Sequence, residues 1–254
     1  MNYVTREKEF DFNDYIALYE SGKSIHSLKP MKNPTYKVLS KAKNVDIRVV
    51  DRDKSYKFLS KCSKLEKFTI DTKKESHRYF YIIPVQTPNG QYAGFIYRTV
   101  LGKAYNSVYR QFKDFTKKVP IMYGFYRDFD NYDRHTSCMP ILVCESAKDA
   151  MFLKHIYPYT VAANTASLGA STHVLANITD KIILAYDNDE TGRENTPRDR
   201  NALTKLGCSV DVLKYHDGFK DASDYVDHPQ ELESLKEQLK LRVKGLLTGC
   251  TLVY

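Results

Sequence analysis

Two hydrophobic rhythms divide this chain. Residues 10–22 and 52–67 carry apolar positions at helical spacing, as with Tyr56, Leu59 and Cys62 set among lysines, and predict helices. From Arg78 the period shortens to that of strands. The runs RYFYIIPVQ and QYAGFIYRTV flank TPNG, and Pro88-Asn89-Gly90 between two β-rich stretches predicts a hairpin. Residues 103–135 keep no period and read as irregular, polar and aromatic, with basic groups at Lys103, Arg110, Lys113, Lys117 and Lys118.

Past Pro140 short apolar runs alternate with amphipathic ones. Strands are predicted at 141–144, 160–163, 181–186 and 208–214, and helices at 147–156, near 171–177, within 194–206 and at 230–243. The serines between Asn164 and Ser171 read as a polar loop, not a nucleophile site. Strand–helix alternation at this spacing predicts an α/β domain with a mostly parallel four-stranded sheet and helices on both faces. It follows an α+β N-terminal part. Ligands of such sheets bind at the carboxyl ends of the strands.

Composition narrows the class. The chain has 254 residues, 42% hydrophobic and 28% charged, which is ordinary for a globular protein. It has no apolar run of about 18 residues, so no membrane partner is expected, and MNYVTREKEFDFNDY lacks the apolar core of a secretory signal. A cytoplasmic protein is the expectation. Five scattered cysteines never pair as C-x-x-C, so neither a disulfide framework nor a zinc site is expected. The charge is uneven: residues 1–140 hold 26 Lys and Arg against 15 Asp and Glu, the remainder 13 against 16. That asymmetry suits a polyanion on the first part and metal chemistry on the second. Twenty tyrosines and twelve phenylalanines add faces on which bases stack, although most will be core.

The acids fall where such a sheet builds its sites. Glu145 follows the first predicted strand of the α/β region, Asp187 and Asp189 the third, and Asp221 the fourth. Residues two apart on an extended chain face the same way, so Asp187 and Asp189 can share a cation while Asn188 points elsewhere. Clustered carboxylates resist ionising together unless a cation neutralises them. Mg²⁺, or Mn²⁺ in its place, suits a few carboxylates with water and phosphate oxygens completing the shell. Asp180 and Asp211 read instead as ordinary loop or capping acids.

These residues resemble the Toprim domain of DnaG-type primases, topoisomerases and some nucleases. That pattern is a strand ending in Glu with Asp four residues on, here Glu145 and Asp149 in LVCESAKDA, then a strand ending in D-x-D, here IILAYDNDETGR. The extension to Gly192 and Arg193, and the later Lys220-Asp221, are of the primase form. Upstream, IIPVQTPNG, AGFIYR, KAYNS and KKVPIMYGF resemble the catalytic core that precedes Toprim in such primases, so the likeness runs from about Tyr79 to Pro229. Departures are Ser146 where the pattern has Gly, and Ser223 where K-D-x-D would supply a second loop acid, with Asp224 one position further on.

The resemblance implies a Toprim-domain DNA primase catalytic core without a zinc module, of the compact kind that would suit a phage or mobile element. It implies catalytic Glu145, Asp187 and Asp189, metal ligation by these with Asp149 and Asp221, and template or nucleotide contacts from Arg98, Lys103, Asn106, Lys118, Arg193 and Lys220. The partners implied are single-stranded DNA, ribonucleoside triphosphates, a replicative helicase and a zinc-bearing protein acting in trans. The expected segments are 1–75, of no legible role; 76–138, a basic core subdomain; 139–229, Toprim; and 230–254, a helical tail. A metal-dependent nuclease and a non-catalytic single-strand-binding replication protein are the competing readings.

Overall fold

The computed structural model describes residues 20–24, 48–51, 79–86, 92–99, 108–111, 122–125 and 139–248. The predicted helix at 52–67, nearly all of that at 10–22, and the turn at Pro88-Asn89-Gly90 lie outside the described residues. Two compact units are present, one formed by Met1–Tyr36, Asp46–Pro84 and Gly94–Asp114, the other chiefly by Phe115–Tyr254.

The first unit carries a five-stranded sheet in sequence order: β1 (Lys23–Ser24), β2 (Arg48–Asp51), β3 (Tyr79–Gln86), β4 (Tyr92–Thr99) and β5 (Val108–Gln111). The two runs predicted as a hairpin are neighbours in it. Strands β1 and β2, β2 and β3, and β4 and β5 pair antiparallel, with Phe95 opposite Arg110. Residues 1–75 therefore supply two strands that their sequence does not announce. Strand β5 also corrects the irregular reading of 103–135. Four residues, VYRQ, are too few to show a period, and their pairing with β4 supplies the order.

The second unit holds four parallel strands in the order β7, β6, β8, β9, where β6 is Ile141–Cys144, β7 Thr160–Ala162, β8 Lys181–Ala185 and β9 Ser209–Val212. The mostly parallel expectation sharpens to fully parallel. Strands β6 and β8 are buried along their whole length, and apart from Lys181 at the start of β8 both read as apolar runs. The chain passes from β6 outward to β7, then crosses back beyond β6 to β8. With right-handed crossovers this reversal puts the intervening helices on opposite faces.

Those helices are α1 (Ala147–Leu153), α2 (Ser171–Ile178), α3 (Glu190–Lys205) and α4 (Pro229–Leu247). Helices α2 and α3 pack on each other, while α1 meets the 3-10 turn Ala222–Asp227, which in turn meets α4. One core layer joins Ile141, Val143, Ile182 and Leu184 to Leu175 and Leu203. Helix α4 buries Leu235 and Leu239 and lies against β9, so its amphipathic pattern serves to pack it on the sheet. Helix α3 begins four residues before the predicted window despite Pro197, because Asp189 caps it at the end of β8. Among the described residues no helix is long and apolar enough to cross a membrane.

Candidate metal centre

The reversal in strand order lies at β6 and β8, and a crevice forms beyond the carboxyl ends of strands at such a point. Glu145 leaves β6 there and Asp187 follows β8 two residues on. The backbone N–H of Asp187 donates to Glu145 Oε1 at 3.1 Å, which ties the two turns together. Asp189 is the N-cap of α3: its Oδ1 accepts the Gly192 N–H at 2.9 Å while Oδ2 faces the Lys220 ammonium, also at 2.9 Å. The same ammonium lies 3.7 Å from Asp187 Oδ2. Asn188 turns away, its side chain donating to the Phe219 carbonyl at 3.4 Å and its N–H to the Lys220 carbonyl at 2.6 Å. That places the loop after β9 beside the D-x-D turn.

Gly192 explains its place in the motif. A Cβ there would lie 1.9 Å from the Asp187 carbonyl oxygen, so only glycine lets α3 start against the turn it caps. Arg193 is exposed and donates to the carbonyl and side-chain oxygens of Asn188 at 3.2 and 3.3 Å.

Asp149 and Asp221 sit differently. Asp149, 2% exposed, accepts from the Ser146 hydroxyl and, at 3.2 Å, from the Ser223 N–H. Asp221 accepts the Ser223 N–H at 2.9 Å and the Ser223 hydroxyl, and caps the 3-10 turn. Lys148, which the sequence reading passed over, places its ammonium 3.2 Å from Asp221 and 3.9 Å from Asp149. Its only sequence signal was the adjacency to Asp149. Asp224, the possible substitute for the missing loop acid, caps backbone instead, accepting from the Lys220 and Asp221 N–H groups. Asp211 pairs with Arg242 on α4 at 3.0 Å, a structural role.

The electrostatics follow from crowding. Burial, reinforced by the charges of Glu145 and Asp221, pushes the Asp187 carboxyl up to about 7. Burial also raises Glu145, against the pull of the Asp187 N–H. Asp149 is raised to about 7 by burial and by Asp221. The Gly192 N–H and Lys220 hold Asp189 below the usual carboxylate range. For Asp221 burial acts upward, but Lys148 and Ser223 outweigh it and leave the group lowered.

The donor set fits a hard divalent cation. Two carboxylates already converge on one ammonium, and Lys220 is more than half exposed, so a stronger cation can displace it. Among the described residues no donor reaches the second oxygens of Glu145 and Asp187. The set is not closed in advance: among those residues no three His, Cys, Asp or Glu side chains converge on a single point as metal ligands. Of the other residues expected at the template or nucleotide, Arg98 lies on β4, while Lys103, Asn106 and Lys118 lie outside the described residues.

Residues 142–226 match the family model described as Toprim-like. This segment is a Toprim-like domain. A search of the curated proteins found no match to the sequence. Among solved structures, the DnaG primase catalytic domain bound to ssDNA superposes with a TM-score of 0.62 at 19% identity, over 89% of this chain and 80% of that one. A DNA primase domain from Pseudomonas aeruginosa gives 0.61 at 17%, over 88% and 77%. The Aquifex aeolicus primase, with zinc-binding and RNA polymerase domains, gives 0.57 at 20%, over 82% of this chain. The present chain spans about half of that one, 52%. At these identities the likeness is one of fold. It joins the Toprim-like domain to the architecture of primase catalytic cores.

Proposed function

We propose that this protein is a primase-type nucleotidyltransferase that joins ribonucleotides into short primers on single-stranded DNA. The observation that carries the reading is the convergence of Asp187 and Asp189 on one positive charge, beside Glu145, at the strand-order reversal of a Toprim-like sheet. Glu145, Asp187 and Asp189 would hold Mg²⁺ or Mn²⁺. That ion, when bound, offsets the charge of the triphosphate and makes the attacking 3′-hydroxyl more acidic.

The chain's own residues do the positioning. The Asp187 N–H fixes the Glu145 carboxylate toward the crevice, and Gly192 lets α3 pack close enough for Asp189 to cap it with one oxygen and offer the other. Lys220, poised between the two aspartates and more than half exposed, would be within the site to meet a triphosphate oxygen. Arg193 supplies a second exposed cation at the start of α3. Arg98, Lys103 and Asn106 of the first unit, with Lys118, would hold template phosphates and the incoming nucleotide. On this reading the protein works in the cytoplasm, with a replicative helicase and a zinc-bearing protein in trans as partners.

The test is incubation with single-stranded DNA, Mg²⁺ and labelled ribonucleotides. Short RNA products are expected from wild type, with a loss of at least about 100-fold in Asp187→Ala. Template degradation that depends on Asp187 makes the protein a nuclease instead. DNA binding with neither product leaves it a non-catalytic replication protein.

A further inference from the structure

The five carboxylates at the strand ends form two groups of opposite character. Glu145 and Asp187 each keep an oxygen without a donor among the described residues, and the ammonium that Asp187 shares with Asp189, on Lys220, is exposed. Asp149 and Asp221 have none to spare. Each of their four oxygens meets a donor from the chain: the Ser146 hydroxyl, the Ser223 N–H and hydroxyl, or the Lys148 ammonium. Lys148 is also confined. Its side chain is 16% exposed, Asp221's is 16% and Asp149's 3%, so this ion pair is shielded from solvent where that of Lys220 is not.

Ser223 completes the pattern. At the position where K-D-x-D would bring another carboxylate, this chain has a side chain that donates to Asp221. Where that pattern has a negative charge this chain has a hydrogen-bond donor, and Lys148 stands in the same pocket. Both features remove the need for an external cation there, because two largely buried carboxylates beside each other demand a compensating positive charge from some source.

We infer that Lys148 is a built-in cation that fixes Asp149 and Asp221, so that the protein binds one divalent ion per chain, at Glu145, Asp187 and Asp189. This rests on the metal-binding reading above and adds its stoichiometry. Lys148 is a positioning residue: it holds the loop after β9 against α1 and thereby keeps Lys220 at the D-x-D turn. A lysine in a closed carboxylate pocket also sets a selectivity, since a hard cation must displace a covalently tethered competitor to enter.

Titration of the full chain with Mn²⁺, counting free ion by electron paramagnetic resonance, tests the inference without an activity readout. Wild type is expected to bind one ion. Lys148→Met, similar in length but uncharged, is expected to bind two, and Lys148→Met with Asp221→Asn one again. Lys148→Arg should keep the count at one. Two ions on wild type, or one on folded Lys148→Met, overturns the inference while leaving the metal reading intact; no ion on wild type overturns both. Should Lys148→Met not fold, Asp221→Asn alone decides the matter. Unchanged Mn²⁺ affinity supports Asp221 as a non-ligand, and a weakening of tenfold or more makes it a ligand and sinks the idea.

Discussion

At the end of β6 the residue that caps the following helix is Ser146; at the end of β8 it is Asp189. The strands are hydrogen-bonded neighbours, both fully buried, and each runs through an acid into a helix. The serine cap turns its hydroxyl inward to Asp149, so of the two acids in that turn only Glu145 looks outward. The aspartate cap uses one oxygen on the Gly192 N–H and leaves the other for a cation. A hydroxyl cap is thus purely structural, whereas a carboxylate cap serves backbone and site together. The β8 turn is the more exacting, because the same atoms that start its helix also shape the centre.

The largest expected effect comes from breaking the β8 turn. In Gly192→Ala the added methyl collides with the Asp187 carbonyl, so the turn must shift. Primer synthesis should fall by about 100-fold or more, since displacement of about 1 Å at a reacting centre has that cost. Thermal unfolding should show a loss of about 1–3 kcal/mol. Activity near wild type would show that the turn tolerates the shift, and the claimed difference between the two turns would go with it.

Next comes pH. Asp187 stands near 7 in the folded protein against an ordinary 3.8, so the folded state retains a proton that the unfolded chain releases between those values. Its contribution to stability is therefore greatest below about 4, falls as pH rises toward 7, and stays low above. Asp149, raised in the same direction, adds to this. Metal-free protein should melt a few degrees higher at pH 6 than at pH 8, at about 2–4 °C per kcal/mol for a domain of this size. Added Mn²⁺ should stabilise more at pH 8, where no proton must be expelled. Asp187→Asn should flatten the metal-free profile; an unchanged slope would show that the burial of Asp187 is not its source.

Ser146→Ala should cost about 1 kcal/mol through the lost cap and the lost donor to Asp149, lowering the melting temperature by about 2–4 °C. Its Mn²⁺ count should not change, which separates the structural cap from the shared one. Smallest is Arg242→Ala, which removes a half-exposed pair with Asp211 away from both turns. A change of about 0.5 kcal/mol and unaltered primer synthesis are expected.

Most of the second unit was readable from its residues. Strands β6 and β8 announce themselves because full burial requires apolar runs, and the acids that follow them fall at the crevice by topology alone. The start of α3 was not readable, since Pro197 looks like a first-turn residue while the true cap lies within the acidic motif. Strands β1, β2 and β5 were missed because two to four residues cannot display a period; their order comes from neighbours. Lys148 was missed for a related reason: in sequence it is one more lysine, and only the fold brings Asp221, 73 positions on, to its ammonium.

Strand β7 is the outermost of its sheet on one side, and an unpaired outer strand offers its amides to any other chain that can extend along it. Tyr123 exchanges both backbone hydrogen bonds with Ala162, at 3.0 and 2.8 Å, and Gly124 then turns away at φ 110°, where a Cβ would strike the Thr160 carbonyl. The Tyr-Gly pair is in this sense a stopper. It occupies the edge at Ala162, and the glycine is what allows the backbone to approach the Thr160 carbonyl so closely.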